Sequence, residues 1–592
     1  MSPYIYINSG DTIKLKKLNE QVISVEKEVT NGGGEYQYIK LFPLYEKCET
    51  VVLSPHVLNI KFRERQTPND LKAIRLLEQF HYRGKGLNRL VGRRTVLLAE
   101  ADGIGVIGYG VISATVLAAR PRFELFEVSL AELMRSKLIN QIVRIPRVVV
   151  HPEFRGLGLG SRLAKHLVLY ASEHWDIKGY QPIMVEVIAS MTQYHKFFEM
   201  AGFICYGFTE GKATVFKPIY GSKGWEDRPN VDNYKFSSPL GPKPYLIYPL
   251  NNKVKRLIAN KRPMNIEPPN ILNTTPLLTE PIKFKNVSVS YITHSRRTLR
   301  AAEVKKVFGV DGTQMSSPVL NKFTLSIQPG DVVLTTGASG SGKSTLLKLL
   351  TLSDSRLSGI TKISGIVHRP SQKEIGVLSS DWSSRLPLVN QIGGSLEESI
   401  AILNSVGLAE AHLYLKTPKQ ISEGQRYRFS IARLCYARKP VWIADEFAST
   451  LDPYTAAVVA KGLRKQAARA GATLIVAAPH INNFVSSLAP TQLIILKWGG
   501  QARINAMKLL AERTTQGVKF TVINRARTQL TNLRATLTDS DGQEQELISI
   551  AHLSGLERSA EFELSIGNIK AGNIVRITST EGVGDVVYFG IP

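Results

Sequence analysis

Cysteine is almost missing from this chain of 592 residues. Cys48, Cys205 and Cys435 are far apart and odd in number, so neither a disulfide framework nor a thiolate metal site can be read from them. All three are expected as buried small hydrophobes in a reducing compartment. Long apolar runs are missing too. The opening MSPYIYINSGDTIKLKK has no apolar signal core. The longest apolar stretch, 104–119, is interrupted by Gly108, Gly110, Ser113 and Thr115, and a bilayer helix needs roughly 20 apolar residues. No membrane association and a cytoplasmic location are therefore expected. Acidic residues are in deficit: 49 Asp and Glu face 75 Lys and Arg, a formal charge of +26. Such an excess favours polyanionic partners, nucleic acid first.

What is present reads as several domains, since a chain this long exceeds one hydrophobic core. Residues 1–60 alternate apolar and polar around an NGGG turn, which predicts a small β-rich module. Residues 61–221 alternate helical and strand-like segments, among them DLKAIRLLEQFHY, IGVIGYGVISATV, IPRVVVHP and IMVEVIA. Residues 222–280 are rich in Pro and Asn with little periodicity and read as a basic linker. Residues 281–505 form an α/β domain, and 515–592 a set of short alternating strands that suggests an antiparallel β-sandwich.

The strongest chemical signal lies in the α/β domain. The strand DVVLTT runs into Gly337, Ala338, Ser339, Gly340, Ser341, Gly342, Lys343 and Ser344, and Thr345 opens the helix TLLKLL. This is G-x-x-x-x-G-K-[ST] in its strand, loop and helix setting. Its glycines let backbone N–H groups approach phosphates at a helix N-terminus. Lys343 is placed to neutralise the β- and γ-phosphates of ATP, and Ser344 to ligate Mg²⁺. Downstream, the apolar strand 441–444 ends in Asp445, a second Mg²⁺ ligand, and Glu446, which would act on the attacking water.

With Ile421-Ser422-Glu423-Gly424-Gln425 before that strand and Ser449-Thr450-Leu451-Asp452 after it, this region resembles the ABC-type ATPases. The resemblance implies that Ser422, Gly424, Gln425 and Asp452 belong to the ATP site, and that two copies close over two ATP molecules as a homodimer. It gives His480 a γ-phosphate role and Tyr291 an adenine-stacking role. Two departures stand out. Glu423 replaces the first glycine of the signature, and Ser380 stands where the family has glutamine, with Gln391 further on as a substitute. The stretch from Ser380 to Ser422 implies a compact helical subdomain.

Arg155, Gly156, Leu157, Gly158, Leu159 and Gly160 fit R-x-x-G-x-G between the strand containing Val149 and Val150 and a helix. Together with IMVEVIA and the segment Phe198 to Phe203, this resembles the GNAT acyltransferases. The resemblance implies that these residues, Val149 and Val150 included, bind acetyl-CoA. Phe198 stands where many members carry a tyrosine general acid, and Met191 where they carry asparagine. Glu100, Tyr109, Glu153, Tyr194 and His195 are the alternative acid–base candidates. A basic stretch, His81 to Lys85 with Arg89, Arg93 and Arg94, falls where the family closes over its acceptor.

Between Asn251 and Lys306 stand twelve Lys and Arg against three Asp and Glu. Aromatics are sparse there, so contacts with backbone phosphate are expected rather than base stacking. The fold expected is multidomain α/β: a GNAT-like acyltransferase fold and an ABC-type P-loop fold, flanked by the N-terminal module and the C-terminal sandwich. The function expected is ATP hydrolysis coupled to that acyltransferase-like domain, acting on nucleic acid. Its rivals are a non-catalytic clamp on DNA or RNA with a degenerate GNAT-like domain, and an ATP-regulated protein N-acetyltransferase. A transporter subunit is disfavoured by Ser380 and the attached domains.

Overall fold

The computed structural model describes all residues except 1–6, 8, 19–20, 31–33, 54–55, 81–91, 117–118, 190–195, 210–211, 215–234, 238–242, 262–276, 294–297, 309–314, 353–360, 379–380, 516, 527–528, 540–542, 556–557, 566–572, 582 and 590–592. It divides into two compact units, Met1–Thr50 with Leu58–Pro268, and Val51–Val57 with Pro269–Pro592.

In the first unit, β1 (Ile13–Leu18), β2 (Gln21–Thr30) and β3 (Tyr36–Phe42) form a three-stranded antiparallel sheet around Val29, Ile39 and Leu41. Its attachment combines backbone hydrogen bonds, Thr30 N–H to Gly179 O at 2.7 Å and Gln181 N–H to Thr30 O at 2.9 Å, with buried ions. Lys27, fully buried, pairs with Asp11 at 2.7 Å and Asp176 at 3.1 Å. Asp176 also takes Arg93 at 2.6 Å, and that guanidinium lies 4.6 Å from the Trp175 ring.

The main sheet of this unit has eight strands in the order β10-β13-β9-β8-β7-β6-β5-β4. In chain order they are β4 (Glu46–Leu53), β5 (His56–Glu64), β6 (Arg94–Ala101), β7 (Gly105–Ala114), β8 (Ile142–Val150), β9 (Met184–Ile188), β10 (Ile204–Phe208) and β13 (Pro244–Pro249). A two-stranded pair, β11 (Lys212–Thr214) and β12 (Lys235–Ser237), is separate. Strands β8 and β9 run parallel over Ile142–Arg144 and Met184–Glu186. A register shift between β7 and β8 sets Val111 against Arg147 but Ser113 against Arg144. The extra residue reverses which face each β8 side chain meets. Val143 and Ile145 thus pack under the helix Leu159–His174, whereas Val149 joins Ile74 and Leu77 of the helix Pro68–Glu78.

The second unit is built on a parallel sheet. β14 (Ile282–Thr293), β15 (Met315–Ile327) and β17 (Thr361–His368) form an antiparallel layer in the order β15-β14-β17. The central sheet takes β16 (Val332–Gly337), β18 (Ile375–Val377), β19 (Val441–Ala444), β20 (Thr473–Ala477) and β21 (Gln492–Leu496) in the order β18-β19-β20-β16-β21, all parallel. Strands β19 and β20 are buried at every position, as continuous apolar runs in a covered parallel sheet should be. The sheet continues antiparallel through β22 (Ala502–Arg513), β23 (Gly517–Asn524) and β26 (Arg558–Ser565). A further antiparallel sheet has the order β25-β24-β27-β28, from β24 (Leu530–Thr538), β25 (Glu544–Leu553), β27 (Ile574–Thr578) and β28 (Gly584–Tyr588).

The structure departs from the sequence reading in four places. Strands β4 and β5, assigned to the N-terminal module, belong to the eight-stranded sheet, because the half-buried alternation of β5 pairs it with β6. The expected linker contains β13, inserted between β10 and β9 with Tyr245, Leu246 and Ile247 fully buried, and the helix Asn252–Asn260. A strand buried on both faces carries no alternation to reveal it. Strand β22 crosses the expected boundary near 505–515 and joins the C-terminal strands directly to the parallel sheet. Cys48 is exposed, whereas Cys205 and Cys435 are buried.

Among the described residues no helix is long and apolar enough to cross a membrane. One buried ion pair holds the middle of the first unit. Arg122 and Glu186 are both fully buried, 2.7 Å apart, and the Tyr245 hydroxyl donates to the same carboxylate. Glu186→Ala leaves an uncompensated buried guanidinium and should destabilise this unit by about 3–5 kcal/mol. The double substitution Arg122→Met with Glu186→Met should cost far less. Urea unfolding followed by the fluorescence of Trp175, buried in the same unit, checks both, and equal losses would refute the assignment.

Candidate functional site

Strands β16, β19 and β20 lie side by side and parallel, so the segments leaving their C-terminal ends gather along one edge of the sheet, where open α/β sheets bind ligands. From β16 comes the loop 337–342, from β19 Asp445 and Glu446, and from β20 the segment ending at His480.

The loop is shaped by backbone geometry that only glycine satisfies. Gly337 has φ 145°, and a Cβ there would stand 2.2 Å from the Leu496 carbonyl oxygen. Gly342, the N-cap of the helix Lys343–Thr351, has φ 100°, and its Cβ would meet Val319 Cγ1 at 2.5 Å. The Lys343 ammonium donates to the carbonyls of Gly337 and Ala338 at 2.8 and 2.9 Å, closing the loop on itself. Ser341 N–H donates to Ala338 O at 3.1 Å. Ser344 is half-buried and Thr345 buried on the first helical turn. The Tyr291 hydroxyl is 2.9 Å from Thr345 Oγ1, which ties the expected adenine platform to that turn.

Asp445 and Glu446 are exposed at the end of a fully buried strand. Glu446 N–H donates to Asp445 Oδ1 at 3.0 Å. Glu446 and Ala448 have φ of 48° and 57°, a conformation uncommon outside glycine that concentrates at functional sites. Thr336 Oγ1 donates to Pro479 O at 3.4 Å, which fixes the segment presenting exposed His480 beside β16.

Ser422 caps the helix Glu423–Ala437. Its hydroxyl accepts from Gln425 N–H at 3.3 Å, and the Gln425 side chain accepts from Ser422 N–H at 3.0 Å. This reciprocal cap leaves Ser422 exposed and Gly424 and Gln425 buried. The Thr450 hydroxyl donates to Glu423, so the residue that departs from the glycine signature is bonded to the segment before Asp452. Asp452 caps the helix Pro453–Ala470 through Tyr454 and Thr455 N–H, both at 3.1 Å. Gln391 donates to Leu386 O at 2.7 Å, within its own turn. Ser380 lies outside the described residues.

The second glycine-rich loop follows the same plan. Val149 and Val150 end β8 beyond the point where its pairing with β9 stops at Arg144. Arg155 Nε donates to Val150 O at 3.0 Å. Gly156 and Gly158 have φ of 90° and 76°, and a Cβ at either would meet nothing within 4 Å. Gly158 is the N-cap of the helix Leu159–His174. Leu157 and Leu159 are buried, and Gly160 sits against Phe197. The loop therefore presents bare backbone to open space at a helix N-terminus, a surface suited to a pyrophosphate.

The acid–base candidates fare unevenly. Glu100 accepts from Arg63 Nε at 2.7 Å, which also holds Asp70. Tyr109 is fully buried, and burial, only partly offset by Arg147, pushes its phenol up to about 12. Glu153 is half-buried in a short turn, its N–H donating to His151 Nδ1 at 3.4 Å. Phe198 is 3% exposed and packs edge-on to Phe203. Met191, Tyr194, His195, the stretch His81 to Lys85, and Arg89 lie outside the described residues. Sequence reasoning missed Glu199, next to Phe198. Neither of its carboxylate oxygens has a hydrogen-bond partner among the described residues, and burial raises its pKa. Trp498 was also missed: 74% exposed, it donates from Nε1 to Ser339 O at 3.2 Å.

Both loops fall within segments matched by known families. The ABC transporter family model matches residues 320–449, and the acetyltransferase (GNAT) family model residues 93–203. The chain is 30% identical over 182 residues to the phosphonates import ATP-binding protein PhnC of Hyphomonas neptunium, covering 26% of this chain and 69% of that one. It is 32% identical over 181 residues to the thiamine import ATP-binding protein ThiQ of Vibrio parahaemolyticus, covering 28% and 76%. A solved dimeric ATP-binding cassette bound to ADP and Pi is 21% identical, with a TM-score of 0.28, covering 38% of this chain and 98% of that one.

Because its indole touches the phosphate loop, Trp498 should report occupation of that loop. Titration with Mg·ATP should change the tryptophan emission, and Trp498→Phe should remove most of the change. Lys343→Ala should shift the midpoint at least about tenfold, or about 1.4 kcal/mol. An unchanged signal in Trp498→Phe would show that another tryptophan responds.

Proposed function

This chain belongs to the ABC-type ATPase family and also carries a GNAT acetyltransferase domain, and from that premise we propose that ATP binding closes two copies of the chain on each other and tightens their hold on nucleic acid. The observation that carries the ATP half is the glycine-locked loop 337–342, capped by Lys343 and set beside Asp445, Glu446 and His480 on one sheet edge. In this reading the loop from Gly337 to Thr345 cradles the phosphates and Lys343 turns from its own carbonyls to them. Ser344 and Asp445 would hold Mg²⁺, a role suited to their hard oxygen donors. Glu446 orients the attacking water, His480 meets the γ-phosphate, and Tyr291 lies against the base. Ser422, Gly424, Gln425 and Asp452 cap the nucleotide held by a second copy. A chain with one such site needs that second copy, so the assembly is a homodimer.

Charge supports the nucleic-acid partner. Beyond the formal +26, the β15-β14-β17 layer carries Lys283, Lys285, Lys322 and Lys362 exposed. Exposed lysines of this kind, without an ion pair among the described residues, suit backbone phosphate, without sequence readout. In the GNAT domain, Arg155 to Gly160 with Val149 and Val150 would hold acetyl-CoA, and the open space over Gly156 and Gly158 fits its pyrophosphate. Whether this domain transfers an acyl group turns on its proton donor. Phe198 in the core favours the second reading, a domain that only binds. Glu199 favours transfer, because its carboxylate oxygens are buried beside Phe198 without a hydrogen-bond partner among the described residues and burial raises its pKa, the direction a proton donor requires.

Two measurements test these readings. Glu446→Gln should lower ATP hydrolysis by about 100-fold or more while retaining ATP binding. In that variant ATP should tighten binding to labelled oligonucleotides at least about fivefold, with a steep salt dependence. Ser422→Arg should cancel the gain, and anisotropy that is equal with and without ATP would refute gating. Separately, calorimetry should detect acetyl-CoA binding to the wild type and none to Gly158→Glu, which puts bulk and negative charge at the pyrophosphate. Absence of heat in the wild type would remove acetyl-CoA from the reading.

A further inference from the structure

A second cluster of charge in this unit lies at the opposite end of β16 from the loop 337–342, at the seam between the ATPase sheet and the C-terminal strands. Asp331, just before β16, and Asp585, in β28, are both buried, 0% and 2% exposed. Arg464, on the helix Pro453–Ala470, is 4% exposed and pairs with Asp585. Lys508 of β22 stands between the two carboxylates, 3.7 Å from Asp331 and 3.6 Å from Asp585, and Arg525 reaches Asp331 at 3.5 Å. The cluster thus holds three cations and two anions.

The carboxylates are well supplied without Lys508. Asp331 accepts from Gln328 N–H and the Gln492 side chain, both at 2.8 Å, and from Thr491 Oγ1 at 3.2 Å. Asp585 accepts from Leu509 N–H at 3.0 Å and Val586 N–H at 2.9 Å as well as from Arg464. The Lys508 ammonium, by contrast, has no hydrogen bond among the described residues, since both its ion pairs are longer than a hydrogen bond should be. Its side chain is 18% exposed, and it lines a cavity of about 170 Å³ with Arg464, Gly330, Ala468, Gly471 and Asp585, whose carboxylate is already taken up by Arg464 and two backbone N–H groups. That is room for about five or six waters at about 30 Å³ each, or for one compact oxyanion.

We propose that this cavity binds a small oxyanion of the phosphate class, with the Lys508 ammonium as its main donor and the unbalanced positive charge of the cluster as its attraction. The anion would complete the charge balance and the three-donor capacity of the ammonium, which the surrounding carboxylates leave unmet. It would also seat between the turn that feeds β16 and the C-terminal strand β28. The inference stands independently of nucleic-acid binding and of acyl transfer.

The test uses the full chain with Lys343→Ala, so that the phosphate loop contributes little, and inorganic phosphate as the probe at matched ionic strength in chloride. Calorimetry should give a saturable isotherm in this background. Adding Lys508→Gln should weaken it at least about tenfold, equivalent to about 1.4 kcal/mol. Adding Ala468→Phe, which fills the cavity from an exposed helix position and leaves every charge in place, should weaken it equally, and keeps the test valid if Lys508→Gln unsettles the fold. A saturable isotherm unchanged by Ala468→Phe would overturn the proposal, as would the absence of a saturable isotherm in Lys343→Ala.

Discussion

Both glycine-rich loops of this chain rest on one stereochemical requirement: the residue that caps the helix after the central strand must sit at positive φ. Gly342 does so at 100° and Gly158 at 76°. The first N–H groups of each helix have no intrahelical acceptor, the setting in which helix N-termini suit anions. The two loops differ in what enforces the glycine. At 337 and 342 a side chain would strike Leu496 and Val319, so packing as well as backbone conformation rules it out. At 156 and 158 a Cβ would meet nothing. There the conformation alone selects glycine, and the space left empty is on the side a ligand would approach.

Around these loops, buried charge stands beside backbone pairing where each β-rich addition meets its domain, at Thr30 with Gly179 and Gln181 and along β21 with β22. Lys27, Asp176 and Arg93 fasten the N-terminal sheet, and Arg464, Asp585, Lys508 and Asp331 fasten the C-terminal strands. Buried ions are costly to desolvate and add little net stability over apolar packing. They do penalise every arrangement that leaves one of them unpaired, which gives each attachment a defined register. In the second cluster the pairing is incomplete, and the ammonium of Lys508 keeps donors to spare beside open volume.

The glycine-rich loops, the Asp445–Glu446 pair and the Ser422 cap were legible in the sequence because each is a local pattern, a strand, turn and helix within about ten residues, whose chemistry needs particular residue types at fixed spacing. The strand Pro244–Pro249 was not legible. It is flanked by prolines and buried on both faces, so it carries neither alternation nor a turn signal of its own. The first strand of the C-terminal layers, Ala502–Arg513, was cut by a boundary although it pairs on both sides, because its three consecutive buried residues and four exposed residues at its end make no clean alternation. Glu199 gave no signal because a single carboxyl in a short helix is ordinary until its neighbours are seen to bury it.

What the sequence by itself determined was the presence of a glycine-rich loop between strand and helix in each half and the order in which the motifs around it occur, since these depend on contiguous residues and on which side chains are small, basic or acidic. The tertiary structure alone decided which distant segments complete each sheet, where Trp498 and Glu199 stand, and that Lys508, Arg464, Asp331 and Asp585 meet around a cavity. Those outcomes depend on pairing partners tens to hundreds of residues away, and on how burial removes water from charged groups, and neither property is encoded in any local run of residues.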